Sequence, residues 1–517
     1  MVLVVVLVVI TMLALGALTF SELMMAEREG AEVSVVQSQA RAAADSGVEV
    51  ARLFLSQNDL TQKQAGGSYD NPSQFRGIAV TTEASSRGLS RFTIVASRIE
   101  DGRLNGIRFG LADESARLNL NTLLALDQKD PKAGVARQVL MGLPGMSEDI
   151  ADAILDWMDP DDEPREFGAE IDSYASLSPA YAAKNGPLDT IEELLLVRGV
   201  TPALLFGMDA NRNFLVDGTE AAAGIVIQAE NSDGAMNFGW SAYLTLYSAE
   251  ANVAPDGTAK VDIKKATDLK KLSEDLGSVI SPDWAKFIVA YRMNTLGYQT
   301  ATPSMEKISL SAYELKLDEN SKVGGAPLET VLDLIAPRDP STGQNKVLKV
   351  KVNNKDAALE SPFLEGSESD FMPKLMDYVT VSSGKSVPGR ININQASRAV
   401  LAGIPEMGQE IIDQVISQRP QDPTQADDEY RHETWLLTQG IVKLDVMKKL
   451  MPYVCAGGSV YRGQVIGYYD KGGPAARIEV VLDATTKPPR IVFWRDLTHL
   501  GRGYPLETLG VEAVGLP

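Results

Sequence analysis

Asp209, Asn211, Asn213, Leu215, Asp217 and Glu220 stand at positions 1, 3, 5, 7, 9 and 12 of the stretch DANRNFLVDGTE. That spacing is the oxygen ladder of a calcium loop, with the Leu215 carbonyl as one donor and Glu220 placed to bind through both oxygens. Oxygen donors in this pattern suit a hard cation in a flexible cage, so Ca2+ is expected over zinc or magnesium. Phe214 departs from the pattern, because the sharp turn there usually wants glycine. The segment after Glu220 is only weakly helical, so an isolated loop is expected rather than a paired one. An ion here would join the first helical unit to the middle one. The competing reading is a solvated Asn/Asp-rich turn.

A second acidic run, DWMDPDDEPREFGAE, offers Asp156, Asp159, Asp161, Asp162 and Glu170. Carboxylates this crowded repel one another unless a cation or basic neighbours offset them. Arg165 is one such neighbour, and an ordinary solvated acidic loop is the alternative. Beyond these two stretches little could do chemistry. Cys455 is the only cysteine, and His432 and His499 are the only histidines. That excludes an intrachain disulfide and a Cys-rich metal site, and it argues against a His-ligated metal centre or a Ser-His-Asp triad. His432, beside Asp427, Asp428 and Glu429, reads as a surface histidine. A hydrolase reading lacks a visible nucleophile–base pair, so no enzymatic activity is expected.

The elements that must position these residues belong to a chain of 517 residues, enough for three or four units. It is 44% hydrophobic and 23% charged, with a formal net charge of −20. Such a chain repels phosphate backbones unless a local basic face overrides the total. The longest basic cluster, Lys264, Lys265, Lys270 and Lys271, sits among carboxylates and reads as a solvated helix.

Met1 to Phe20 carry no charge, and a helix of that length, at about 1.5 Å per residue, matches a bilayer's hydrocarbon core of about 30 Å. A cleavable signal peptide would need a basic start and a shorter apolar core. The pattern instead continues without proline to Leu55, with a stripe through Ala40, Ala44, Val48, Ala51 and Leu55. One long helix is predicted, membrane-embedded first and amphipathic afterwards. RFTIVASRIE and NGIRFGLADE then alternate as strands, as do GQVIGYYDKGG, ARIEVVLDA and PRIVFWRDL after Pro452. These distant strands are expected to complete one sheet across a helical insertion.

The insertion repeats itself. ARLNLNTLLALD leads into VLMGLPGMSEDIADAILDWMD, and RININQASRAV leads into LAGIPEMGQEIIDQVISQR, with a degenerate copy between them. The corners have the form of a helix-hairpin-helix, which in DNA-binding versions meets phosphate beside lysine or arginine. Here they carry Glu148, Asp149 and Asp152, and Glu406, Glu410 and Asp413. The asparagines of the I-N phrases are expected to fix the turn into each helix. The repeat therefore reads as a packing unit, and a membrane-tethered DNA-binding or DNA-uptake protein is the alternative.

The N-terminal helix with SELMMAEREG, then ARLNLN, LPGMSEDIADAILDWMDPDDEPREFGAEIDSY, GPLDTIEELLLVRGVT, RININQASRAVLAGIP and PRIVFWRDL, resembles the K subunits of the type II secretion pseudopilus. The resemblance implies an α+β fold: a transmembrane and stem helix, then a pilin-like β-sheet domain split by a large α-helical insertion of SAM-like (helix-hairpin-helix-like) repeats. On that plan residues 1–58 are the transmembrane segment and stem, and 59–115 the first part of the β domain. Residues 116–223 form the first repeat, 224–376 a degenerate middle one, 377–451 the last, and 452–517 complete the sheet. It also implies a non-enzymatic minor pseudopilin at the pseudopilus tip, with the I and J subunits as partners and no nucleic acid. The body would sit in the periplasm, anchored by a single pass in the inner membrane. Val5 stands where the pilin class has glutamate if Met1 is near the mature start, and the short basic leader of that class is expected to have been removed or left out by a late-assigned start codon. The family holds calcium within the insertion.

Overall fold

The computed structural model describes residues 1–81, 88–127, 134–225, 231–232, 234–318, 321–353 and 355–511. The proline-free N-terminal run is one helix, α1 (Val2–Ser56), about 80 Å long at 1.5 Å per residue. It ends where Gln57 turns extended and the Asn58 side chain caps a new helix by accepting the Thr61 N–H at 2.8 Å. Residues 1–35 are exposed throughout. From Val36 onward one face closes, through Ala40, Ala44, Gly47, Val48, Ala51 and Leu55, the helical period of a buried stripe. The exposed half is long and apolar enough to cross a membrane.

The buried half of α1 lies on a seven-stranded sheet. Its strands are β1 (Ile78–Ala79), β2 (Ser90–Glu100), β3 (Arg103–Phe109), β4 (Ala112–Asp113), β5 (Val460–Tyr469), β6 (Ala476–Asp483) and β7 (Arg490–Asp496). The order is β1-β2-β5-β6-β7, with β3 also on β2 and β4 on β5. β2 and β5 pair antiparallel from Gln464 opposite Val95 to Tyr469 opposite Ser90, so the two ends of the chain form one sheet as expected. Phe92, Ile94, Val465, Ile478, Val480 and Leu482 meet the stem. A Cβ on Gly467 would lie 2.0 Å from the Ala40 carbonyl and 2.6 Å from the Ala44 nitrogen. The absent side chain is what lets helix backbone rest on strand backbone.

Every residue of β6 is buried, because the sheet is covered on both faces. The stem takes one face. The insertion takes part of the other, where Arg477 is fully buried and donates to the Asn211 carbonyl at 2.9 Å.

Within the insertion three short parallel pairings recur: Leu118–Asn119 with Leu244–Thr245, Val261–Asp262 with Val379–Thr380, and Ile391–Asn392 with Val454–Cys455. Each I-N-type phrase is thus closed by a Tyr-Leu-Thr, Tyr-Val-Thr or Tyr-Val-Cys strand at the end of its own unit. The expected unit boundaries at 224, 377 and 452 lie before these closing strands in the sequence. The middle unit differs more. Besides helices at Leu269–Val279, Pro282–Met293 and Glu368–Tyr378 it holds a four-stranded sheet of Tyr298–Gln299, Glu306–Ile308, Val347–Val352 and Lys355–Leu359. A helical repeat alone does not describe it.

The asparagines do what their chemistry allows. Asn119 Oδ1 accepts the Asn121 N–H at 3.1 Å, and Asn392 Oδ1 accepts the Asn394 N–H at 2.9 Å. Asn121 bonds both ways with the Leu188 backbone, at 2.8 and 3.0 Å, and Asn394 Nδ2 donates to the carbonyls of Ala456 and Tyr430 at 2.9 and 3.0 Å. Each phrase turns the chain and ties it to a distant loop.

Candidate cation sites

The oxygen ladder lies between two short helices. Thr201 caps the first, Pro202–Phe206, by accepting the Leu204 N–H at 3.3 Å, and Pro202 sits where no helical N–H is needed. Asp217 caps the second, Gly218–Ala222. Its Oδ1 accepts the N–H groups of Thr219 and Glu220 at 2.8 and 3.0 Å, while Glu220 Oε2 accepts the Asp217 N–H at 3.1 Å. Between the helices the buried Asp209 accepts the N–H groups of Asn213 at 3.0 Å and Phe214 at 2.9 Å. Those bonds fold the loop into a hook. Phe214 has φ +62°, so the left-handed turn that glycine usually supplies is made here by phenylalanine.

Burial pushes the Asp209 carboxyl up to about 6, against the Phe214 and Asn213 N–H bonds and with a push from Glu220. Its bonds from Thr219 and Glu220 hold Asp217 below the usual range. The loop docks on the sheet: Arg477 donates to the carbonyls of Asn211 and Arg212, Asn213 Nδ2 to Gly503 at 2.7 Å, and the Tyr504 hydroxyl to Asn213 at 3.0 Å. It therefore joins the first helical unit to the sheet, and not to the middle unit. The backbone shape suits a calcium loop, and Asn211 Oδ1 is buried without a hydrogen-bond partner. The carboxylates fit less well, since they already accept backbone N–H groups. Among the described residues no three Asp, Glu, His or Cys side chains converge on a point that could hold a metal.

That holds for the acidic corner as well, but the corner leaves more buried oxygens without a donor. Asp156 is fully buried on the helix Glu148–Met158, and Arg165 Nη1 donates to it at 2.7 Å while also reaching Asp159 Oδ2. Arg165 thus offsets Asp156 and half of Asp159. Asp159 Oδ1 and both carboxylate oxygens of Glu170 are buried with no partner. Burial, and then the charges of Asp156, Asp159, Asp162 and Asp161, push the Glu170 carboxyl up to about 7. Asn185 Nδ2 ties down the Asp161 carbonyl and Asp162 Oδ1, both at 2.8 Å, and leaves its own Oδ1 without a partner. Buried oxygens with no donor are costly, and a proton or a cation relieves the cost. Asn185 was not among the residues singled out in the sequence, because its neutral side chain lies 15 positions beyond Glu170.

The corners of the first and last repeats face each other. A Cβ on Gly142 would lie 2.3 Å from the Gly403 nitrogen, and one on Gly403 2.3 Å from the Val139 carbonyl. These glycines hold the equivalent place in MGLPGM and AGIPEM. The Arg137–Asp152 pair at 2.6 Å recurs as Arg398–Asp413 at 2.5 Å, and Glu406 pairs with Lys449 at 2.9 Å. Backbone that would have to approach a phosphate is used in repeat-to-repeat packing, among carboxylates. The DNA-binding alternative finds no support. His432 also departs from expectation: it is mostly buried, with Nε2 2.7 Å from Asp377 Oδ1.

Comparison with known proteins agrees with the resemblance drawn from the sequence. A protein from Pseudomonas aeruginosa (strain PAO1) described as "Type II secretion system protein K" is 33% identical over 106 residues, 20% of this chain and 31% of that protein. The chain thus spans under a third of that relative's length in the match. A solved structure described as "The Crystal Structure of the GspK-GspI-GspJ complex from enterotoxigenic Escherichia coli Type 2 Secretion System" aligns over 91% of this chain and 99% of the matched one. Identity there is 12% and the TM-score 0.39, too low to carry an argument about fold. The family model described as "Type II secretion system (T2SS), protein K" matches residues 116–208, so the segment that holds the acidic corner and the first I-N phrase is similar to that family.

Proposed function

We propose that this chain is a minor pseudopilin of a type II secretion system and a structural component rather than an enzyme. In this reading it sits at the pseudopilus tip with the I and J subunits and supports export of folded proteins. The observation that carries the reading is the placement of a segment similar to protein K between the two halves of a sheet that docks on a stem helix. The exposed residues 1–35 then supply a single-pass anchor in the inner membrane, with the body in the periplasm. The sheet and stem are the pilin-like part, and the insertion carries the SAM-like repeats. Pull-down of the full-length chain with I and J subunits tests the reading, together with secretion in a clean deletion strain. Retention of both partners and loss of secretion are expected. Normal secretion without the chain would sink the assignment.

Within that reading we assign calcium to the acidic corner and the loop. Asp159, Asp161, Asp162 and Glu170 would hold it at the corner, with Asp156 committed to Arg165. Asp209, Asn211, Asn213, Asp217, Glu220 and the Leu215 carbonyl would hold it in the loop. A bound divalent cation supplies charge that neutralises crowded carboxylates and fixes the segments bearing them.

A further inference from the structure

A cleft open to solvent, with about 60 Å³ of cavity at its base, lies between the sheet and the first helical unit. Four arginines line it: Arg117, Arg212, Arg462 and Arg495. Three are satisfied. Arg462 donates to both oxygens of Glu114, at 2.8 and 2.9 Å, and lies 3.2 Å from Glu479. Arg212 and Arg495 share Glu192, at 3.1 and 2.7 Å.

Arg117 is the exception. It is 6% exposed, and its one ion-pair contact among the described residues is Glu114 at 3.8 Å. That carboxylate is already engaged on both oxygens by Arg462. No described residue accepts a hydrogen bond from the Arg117 guanidinium, which carries five N–H donors. Asp209, the other acid on the wall, has both oxygens turned to the N–H groups of Asn213 and Phe214. The walls thus hold one more hydrogen-bonding cation than they hold available carboxylates. The rest of the lining is largely apolar, with Phe206, Phe238, Phe493, Ile191 and Leu246 beside a few polar groups. A buried arginine with no acceptor, facing aromatic walls, has the chemistry of a site for an anion with an apolar body.

We propose that this cavity binds a carboxylate attached to a small aromatic or apolar group, with Arg117 as its anchor. The carboxylate accepts from the Arg117 fork, and the apolar body lies against the phenyl rings. Free organic acids and the C-terminal carboxylate of a peptide share this chemistry.

The test is calorimetric titration of the full-length chain in detergent with benzoate, N-acetylphenylalanine and the neutral amide of the latter. At least one acid is expected to bind saturably at one site, with no comparable binding of the amide. Arg117→Gln should weaken the acid about tenfold or more, the loss expected for a charge-assisted hydrogen bond. Arg117→Lys, which keeps the charge, should bind better than Arg117→Gln. If Arg117→Gln fails to fold in a melting assay, Leu246→Trp fills the cavity from its apolar wall and should abolish binding with Arg117 intact. Binding of benzoate alone assigns free organic acids, and equal or tighter binding of N-acetylphenylalanine assigns a peptide terminus. Absence of saturable binding by both acids overturns the proposal. So does equal binding of acid and amide, or undiminished binding by Arg117→Gln, and the cavity is then a water-filled seam.

Discussion

Arg462, on β5, donates to both carboxylate oxygens of Glu114 at 2.8 and 2.9 Å, although the two residues are 348 positions apart. The pair ties the point where the chain leaves the sheet for the insertion to the strand on which it returns. Both partners are buried, and Thr245 donates a further hydrogen bond to Glu114 from the closing strand of the first unit. One carboxylate thus joins both halves of the sheet to the insertion.

Burial alone would raise the Glu114 carboxyl, but the charge and hydrogen bonds of Arg462, with Arg117 and Thr245, bring it down to about 2. A carboxylate depressed in the folded state binds fewer protons there than in the unfolded chain. Its contribution is full above the ordinary value near 4.5 and is lost as the pH falls toward 2. Denaturation of the wild type should therefore show an acid-side loss of stability that Glu114→Gln lacks. At neutral pH Glu114→Gln should cost about 3–5 kcal/mol, because it strands a buried guanidinium. A neutral-pH cost under about 1 kcal/mol would show that the pair is not a junction.

Gly467 makes a second prediction. Any Cβ there meets the Ala40 carbonyl at 2.0 Å, so α1 must lift off β5 or the strand must bend. Gly467→Ala should destabilise the body by about 1–3 kcal/mol, and Gly467→Val by more, as overpacking does. Limited proteolysis should cut the stem near Ala40 faster in both variants. Unchanged melting and cleavage would mean that the stem does not dock as described.

The stem and the sheet were legible in the sequence because their signals are local. A stripe at helical spacing and strands that alternate by two report one face against a core, whatever the partner. The turn from Asp209 to Glu220 was legible as a loop for the same reason. The pairs Arg462–Glu114 and Arg477–Asn211 were not, since a contact across hundreds of residues leaves no local pattern. The four-stranded sheet of the middle unit was missed because two of its strands, Tyr298–Gln299 and Glu306–Ile308, are too short to show a period. A Tyr-Val-Thr strand reads equally well from sequence as the opening or the closing of a unit, and only the parallel pairings tie each to the I-N phrase before it. The acidic corner was visible as a cluster, but only the fold shows that Arg165 is spent on Asp156 and Asp159 while Glu170 is left without a donor.

The exposed half of α1 yields a third prediction. Residues 1–35 are exposed, and the stem's buried face begins at Val36. Removal of Met1 to Phe20 should release a soluble body with an unchanged melting temperature, whereas the full chain should partition into membranes. Fractionation and calorimetry check both. A truncated body that aggregates or melts early would show that the apolar run contributes to folding.

The last prediction concerns calcium, and pH gives it a sign. Glu170 is pushed up to about 7 and Asp209 to about 6, so each holds its proton in the folded state above the pH at which it would lose it when unfolded. Without a cation the stability contributed by these groups should fall as the pH rises from about 4 to about 7. Above that range both carboxylates are ionised, Glu170 with no donor and Asp209 with only two backbone N–H groups. Calcium replaces the proton as the neutralising charge, so its stabilisation should be small at pH 5 and large at pH 7.5. At a hundredfold excess over the dissociation constant, one site adds about 2.7 kcal/mol. Magnesium should add far less, because it demands a tighter octahedral cage than this corner offers. Glu170→Gln should abolish most of the calcium shift if the corner dominates, and Glu220→Gln should do so if the loop does. The fit of the unpartnered oxygens favours the corner, so the larger loss is expected for Glu170→Gln. A melting temperature indifferent to calcium at pH 7.5 would show that neither segment binds the ion and that both are polar turns.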